Sequence, residues 1–345
     1  MACPQPIIDL VNGFRRSKIM FSAVHLGIFD IIAAAPKPQQ GLSAAEIACQ
    51  IVSRDGKRVP NCSIDGLERL LCGCVSIQLL IVANRAHGSN SAHTSGPKRF
   101  VATPLAQTYL TTDSPMSFTG YIAHSNTILY PLWSNLESSV VTGHSCWDKS
   151  FGDFAEPIAA ATSPAIVVKS TRDRIFDHIY NGLDGVRRFM SAMDSVAKVS
   201  VPRILTHLDL TWIHTLVDLG GSTGALSIAF IRANPQINAI VVDLPQVVVL
   251  AEQMLCEEKE ESVPAAVKER IRFHATDFFA DPDAIPSGNA YLLSRILHDW
   301  DDATCKAKGR PRGDHHLRYA ALARPNRALG CSSAGRKHAG TDKRA

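Results

Sequence analysis

A glycine turn, a series of strand-end acids and one histidine recur at regular intervals through the second half of the sequence. Residues 215–230, TLVDLGGSTGALSIAF, read as an apolar strand ending in Asp218, a turn Gly220-Gly221-Ser222-Thr223-Gly224, and a helix opening at Ala225. The dinucleotide pattern G-x-G-x-x-G fails, because Ser222 and Ala225 stand where it needs glycine, and the P-loop fails for want of Gly-Lys-Ser/Thr. What remains is a strand-end acid beside a turn that lets a ligand lie against the backbone. Nineteen residues after Gly224, the strand NAIVVD ends in Asp243, placed to accept hydrogen bonds from ribose hydroxyls. A third strand, IRFHATDFFA, ends in Asp277 and Phe278, an acceptor for an exocyclic amine beside an aromatic wall. The fourth, NAYLLSRIL, delivers His298, Asp299 and Trp300. One such acid is an ordinary turn residue. Consecutive strands that each end in a suitable group at the same sheet edge point to the ligand crevice of a doubly wound α/β sheet.

The elements that must position these groups fall into three zones. Residues 1–120 read as short-looped helices followed by a Gly/Ser/Asn/His loop between two short strands, a winged-helix outline. Within it, LSAAEIA carries a capping box, Ser43 three residues before Glu46. Residues 121–305 hold further helices, whose Tyr130, Trp133, Phe151, Phe154, Phe176, Tyr180, Phe189, Met190 and Met193 are core positions at helical spacing, and then the sheet. Residues 306–345 contain no Val, Ile, Phe, Trp or Met and cannot supply a buried parallel strand; they read as a disordered tail with a short helix around Leu317 to Ala323.

Charge divides along the same boundary. The tail carries 11 Lys/Arg against 2 Asp/Glu, which leaves 25 against 30 in residues 1–305, so the body is acidic although the whole chain is at +4. A DNA-binding winged helix needs cations along its third helix, yet residues 64–83 hold only Arg69, facing Asp65 and Glu68. Nucleic acid is therefore not an expected partner. Nine cysteines lack paired ligand spacing, and His87 and His93 stand singly in a polar loop, so no metal site is legible. Cys72 and Cys74, at i,i+2 on a helix, read as small buried apolar residues. No apolar run approaches the roughly 18 residues needed to span a membrane, and no secretory signal is visible, which gives reduced thiols and a cytoplasmic address.

The ordered set LGIFD, LSAAEIA, SFGDF, VDLGGSTGAL, VVDLPQVV, TDFF and RILHDWDD resembles the S-adenosylmethionine-dependent O-methyltransferases of the caffeic-acid and acetylserotonin type, over roughly residues 5–305. The resemblance implies an N-terminal winged-helix-like dimerisation domain, hence a homodimer, and a class I Rossmann-like methyltransferase sheet with helices on both faces. It places the methionine part of the cofactor at the turn of Gly220, Gly221 and Gly224, the ribose at Asp243 and the adenine near Asp277 and Phe278, with Asp218, Thr276, Arg295 and Tyr180 as further cofactor-binding residues. His298 matches the general base that takes a proton from the hydroxyl of a small aromatic acceptor as its oxygen attacks the methyl group, with no metal required.

The departures from that pattern are two. Ser222 stands where the family usually has glycine, which crowds the turn. From Lys306 onward the composition leaves out the last strands of the sheet and the acids that orient the histidine, so NAYLLSRIL becomes an unpaired edge and catalysis is expected to be weak. An impaired relative that still dimerises and binds cofactor is the second reading, and a DNA-binding regulator the third.

Overall fold

The computed structural model describes residues 4–52, 62–83, 96–144, 146–152, 179 and 182–299 apart from 259 and 261. Helix α1 (Gln5–His25) stops at Gly27, whose φ of +66° turns the chain into α2 (Ile28–Ala33). Next comes α3 (Ala44–Ala48), opened by the expected capping box: the Glu46 amide donates to Ser43 Oγ at 3.3 Å and the Ser43 amide to Glu46 Oε2 at 2.7 Å. Helix α4 (Ile64–Ser76) is capped by Ser63, and the antiparallel pair β1 (Leu80–Val82) and β2 (Phe100–Ala102) follows in register Leu80↔Ala102, before α5 (Pro104–Tyr109). One core of Phe29, Ile32, Ile47, Leu71, Leu80 and Phe100, all fully buried, binds these elements into the winged-helix outline.

Helix α1 is only partly covered by this core. Its C-terminal half packs on that core through Ile19, Met20 and Ala23, while Leu10 is 77% and Phe14 53% exposed. An amphipathic helix that shows its apolar stripe to water is paying a cost that a partner surface removes.

Helix α6 (Thr119–His124) passes through a π-helical turn at Ser125–Leu129 into α7 (Tyr130–Trp133), and α8 (Leu136–Thr142) and α9 (Trp147–Phe151) follow. The long α10 (Gly182–His207) lies against α6 so closely that a Cβ on Gly120 would stand 2.5 Å from the Ser191 carbonyl oxygen; only glycine permits this approach.

The sheet comprises β3 (Thr215–Leu219), β4 (Asn238–Asp243), β5 (Ile271–Ala275) and β6 (Ala290–Leu292), all parallel, in the order β5-β4-β3-β6. Between the strands run α11 (Ala225–Ala233), α12 (Pro245–Glu257) and α13 (Ala265–Lys268). One face packs Leu216, Val241, Ile271 and Leu292 against Phe230 and Ile231 of α11, Val267 of α13 and the C-terminal part of α10. The other face packs Val217, Leu219, Val242 and Tyr291 against Phe278, Ile285 and Leu293. Among the described residues β6 pairs on one side only, with β3.

The fourth strand is shorter than the sequence suggests. It ends at Leu292; Arg295, three residues on, adopts φ +63°, which no extended strand accommodates, and His298 then lies in a 3₁₀ turn, Leu297–Asp299. The readings that fall on Phe154, Phe176, Tyr180, Trp300, His87, His93 and residues 306–345 lie outside the described residues.

Candidate active site

The turn after β3 is built by backbone conformations that its residues dictate. Gly220 and Gly224 have φ +72° and +75°, and the Gly220 amide donates to the Val242 carbonyl at 2.7 Å, tying the turn to the neighbouring strand. Ser222 also sits in the left-handed region, at φ +53°, and its buried Oγ has no hydrogen-bond partner among the described residues. The serine thus fits a place shaped for glycine at the cost of strain and an unsatisfied hydroxyl.

Two carboxyls flank this turn. Asp218 is 2% exposed, and its Oδ2 accepts from Ser227 Oγ at 2.7 Å. Burial raises its pKa from 3.8 to about 7; the Ser227 bond opposes the rise and the charge of Asp243 adds to it. Asp243, partly buried at the tip of β4, accepts from the Ser222 amide at 2.9 Å and from the Leu244 amide at 2.8 Å. Burial raises its pKa to about 6 against the pull of those two amides. Asp218 therefore braces α11 from inside, while Asp243 holds the turn in shape from the sheet edge.

The remaining predicted residues gather at the same edge. The Thr276 amide donates to the Asp243 carbonyl at 3.0 Å, extending the β4–β5 pairing one step past the strand. Asp277 is exposed, and its Oδ1 accepts from the Phe279 and Ala280 amides at 3.0 and 3.1 Å, fixing the turn that swings Phe278 inward. The Phe278 ring comes within 4.0 Å of the place where a Cβ on Gly220 would stand, and Ile296 reaches the same spot. The segment bearing Arg295 and His298 thus runs directly over the glycine turn. His298 is exposed on that segment.

Two features escaped the sequence reading. Thr223 Oγ1 donates to Asp194 of α10 at 3.1 Å, and Lys198 pairs with the other Asp194 oxygen at 2.8 Å, so α10 is anchored to the glycine turn. One and a half helical turns earlier along α10, Phe189 meets His124 of α6 edge-on, with ring centroids 5.7 Å apart. Neither contact has a local signature; both arise from α10 crossing the turn and from the bare backbone of Gly120. An apolar cavity of about 430 Å³ between α1, α5 and α6, lined by Phe21, Tyr109, Phe118 and Tyr121, lies on a neighbouring face of α6.

The O-methyltransferase dimerisation domain matches residues 8–112 and the O-methyltransferase domain residues 133–308. Acetylserotonin O-methyltransferase of Gallus gallus is 31% identical over 303 residues, covering 88% of this chain and 74% of the relative. The Homo sapiens enzyme of that name is 33% identical over 298 residues, covering 86% and 72%. The crystal structure of human N-acetylserotonin methyltransferase in complex with SAM superimposes with a TM-score of 0.68 at 31% identity, over 88% of this chain and 75% of that one. These likenesses favour methyl transfer over the readings as an impaired relative or a DNA-binding regulator. The edge-clustered acids, the glycine turn and the helical N-terminal module with its own core are the arrangement of one family, and the chain belongs to it: the O-methyltransferases that carry an N-terminal dimerisation domain.

Proposed function

We propose that this chain transfers the methyl group of S-adenosylmethionine to a hydroxyl of a small aromatic acceptor, with His298 as general base. The carrying observation is the convergence at one sheet edge of Asp218, the Gly220–Gly224 turn, Asp243, Phe278 and the segment Arg295–His298. Asp243 has the geometry for a ribose: two amides fix its carboxylate, which keeps lone pairs for two hydroxyls. Phe278 offers an apolar wall for adenine beside Thr276 and Asp277, and Gly220 leaves room for the methionine part next to Asp218. Arg295, with Tyr180, adds cofactor contacts.

The bound cofactor supplies an electrophilic methyl on a cationic sulfur. The protein's own task is to hold the acceptor oxygen in line with that methyl and to remove its proton. His298, on the short turn above Gly220, receives the proton as the oxygen attacks, a contribution of roughly 10²–10⁴-fold in rate. No step calls for a metal.

Residues 1–120 form the dimerisation module and residues 121–305 the catalytic one. The exposed face of α1 from Ile7 to Phe14 supports a homodimer. On α4 the charges are already engaged, Arg69 with Asp65 and Lys98 with Glu68, which argues against phosphate binding. Free cysteines at 49, 62, 72, 74, 146 and 256 fit the reducing cytoplasm. The test is incubation of the full chain with methyl-labelled S-adenosylmethionine and hydroxylated aromatics, with the product identified by mass. Label on the acceptor oxygen supports the assignment, and cofactor binding without transfer to any acceptor rejects it.

A further inference from the structure

The glycine turn assigned to the methionine part of the cofactor is conformationally strained, and it is held from two sides. The Gly224 amide donates to the Gly221 carbonyl at 2.8 Å, so residues 221–224 close one tight turn whose first inner residue, Ser222, sits at φ +53°. A serine tends to relax out of that left-handed conformation, whereas a glycine occupies it freely. From the sheet side, Asp243 accepts from the Ser222 amide at 2.9 Å. From the helix side, Asp194 of α10 accepts from Thr223 Oγ1 at 3.1 Å. Thr223 is the second inner residue of the turn, so this bond restrains the chain immediately after the strained serine. Asp194 is itself a firm anchor. Lys198 Nζ pairs with its other oxygen at 2.8 Å, and Val186 and Met190 of the same helix are buried with Val247, Leu250 and Ala251 of α12.

Resting on the methyltransferase reading, we propose that Asp194 is a positioning residue for cofactor binding: through the Thr223 hydroxyl it keeps the turn of residues 221–224 in the shape that admits the methionine part of S-adenosylmethionine. Asp243 clamps the first half of the turn and Asp194 the second. Both clamps are needed while residue 222 is a serine. When the Thr223 bond is lost, the serine can relax towards negative φ, and the backbone against which the ligand lies changes shape. With glycine at 222 the left-handed conformation carries no such bias, and the turn keeps its shape without Asp194. The need for Asp194 is therefore tied to the serine that stands in a place shaped for glycine. The carboxylate acts through its acceptor oxygen, so an amide at the same position serves nearly as well.

The experiment titrates the full chain with S-adenosylhomocysteine by calorimetry, a readout independent of turnover, and follows the Tm of each variant alongside. Asp194→Ala and Thr223→Val should each raise the Kd by about tenfold. The double variant should lose no more than either single one, because both remove the same bond. Asp194→Asn, which keeps an acceptor for the hydroxyl, should recover most of the loss. In a Ser222→Gly background, Asp194→Ala should change the Kd by less than about twofold. Should Asp194→Ala not fold, Thr223→Val carries the same comparison with serine and with glycine at 222. Losses that add in the double variant, or that are equal with serine and glycine at 222, overturn the proposal. A lower Tm with an unchanged Kd overturns it too, since that marks an anchor of the fold alone. Affinities that fall as expected while no hydroxyaromatic is methylated support the role of Asp194 and reject the methyltransferase reading. An unsubstituted chain that does not bind S-adenosylhomocysteine overturns both.

Discussion

Asp218→Asn isolates the most buried ionisable group in the site. Asp218 is 2% exposed, with Ser227 Oγ as its hydrogen-bond donor and the carboxyl of Asp243 nearby as a like charge. Raising a carboxyl from 3.8 to about 7 corresponds to about 4 kcal/mol at 1.36 kcal/mol per pKa unit, so ionising it in the folded chain is expensive. The sign follows from proton binding. The folded state holds this proton more tightly than the unfolded state, so the stabilisation is complete below 3.8 and is lost as pH rises through about 7. Asp243 behaves alike, its contribution being lost as pH rises through about 6, equally in both proteins. Between pH 6 and 7 the unsubstituted chain therefore loses more stability than the variant, by about 1 kcal/mol. His124, with a lowered pKa, works in the opposite direction in the same window, but equally in both proteins. Asparagine keeps an oxygen for Ser227, so the fold survives the exchange. Urea unfolding followed by tryptophan fluorescence from pH 5 to 8 should show the two stability curves drawing apart from pH 5 to about 7, with the variant the more stable at pH 8. Parallel curves across pH 6–8 would refute the claim that burial raises the Asp218 pKa.

Other outcomes test the neighbouring parts. Ser222→Gly removes both a left-handed residue at φ +53° and a buried hydroxyl without a partner among the described residues; after the entropic cost of glycine the gain is about 1 kcal/mol, read as a rise in Tm of a few degrees, and a lower Tm would contradict it. Asp243→Ala takes away the acceptor fixed by the Ser222 and Leu244 amides, and cofactor affinity measured by calorimetry should fall by about 1.5–3 kcal/mol, with unchanged affinity rejecting the ribose placement. Sedimentation at micromolar concentration should give a dimer through the face of α1 that leaves Leu10 77% exposed; Leu10→Glu should then produce monomers, and a monomeric parent chain would count against the interface.

The legible parts of the molecule were those with local causes. Asp218 and Asp243 could be placed because an apolar run ending in an acid before a glycine turn or a Leu-Pro step is itself the strand-to-helix junction. Ser43 and Glu46 announced α3 by the same logic. The fourth strand was overestimated because its apolar residues continue to Leu297, whereas the left-handed backbone at Arg295, three residues past Leu292, has no sequence signal in an arginine. His124 was invisible for a different reason. Its place beside Phe189 depends on the crossing of α6 and α10 at Gly120, some 70 residues apart in the chain, and a lone helical histidine carries no mark of it. The exposure of α1 was legible only in part, since an apolar stripe does not say whether its cover is the same chain or another.

General-base catalysis by His298, on the segment that crosses the glycine turn, is the step on which methyl transfer depends. His298→Asn separates binding from chemistry, because the side chain is exposed on the Leu297–Asp299 turn. Methyl-labelled S-adenosylmethionine and one accepted hydroxyaromatic serve as substrates, with the cofactor Kd measured on the same samples. An unchanged Kd and a kcat lower by about 10²–10⁴-fold are expected. A variant that turns over as fast as the unsubstituted chain, with its Kd intact, would contradict general-base catalysis by His298.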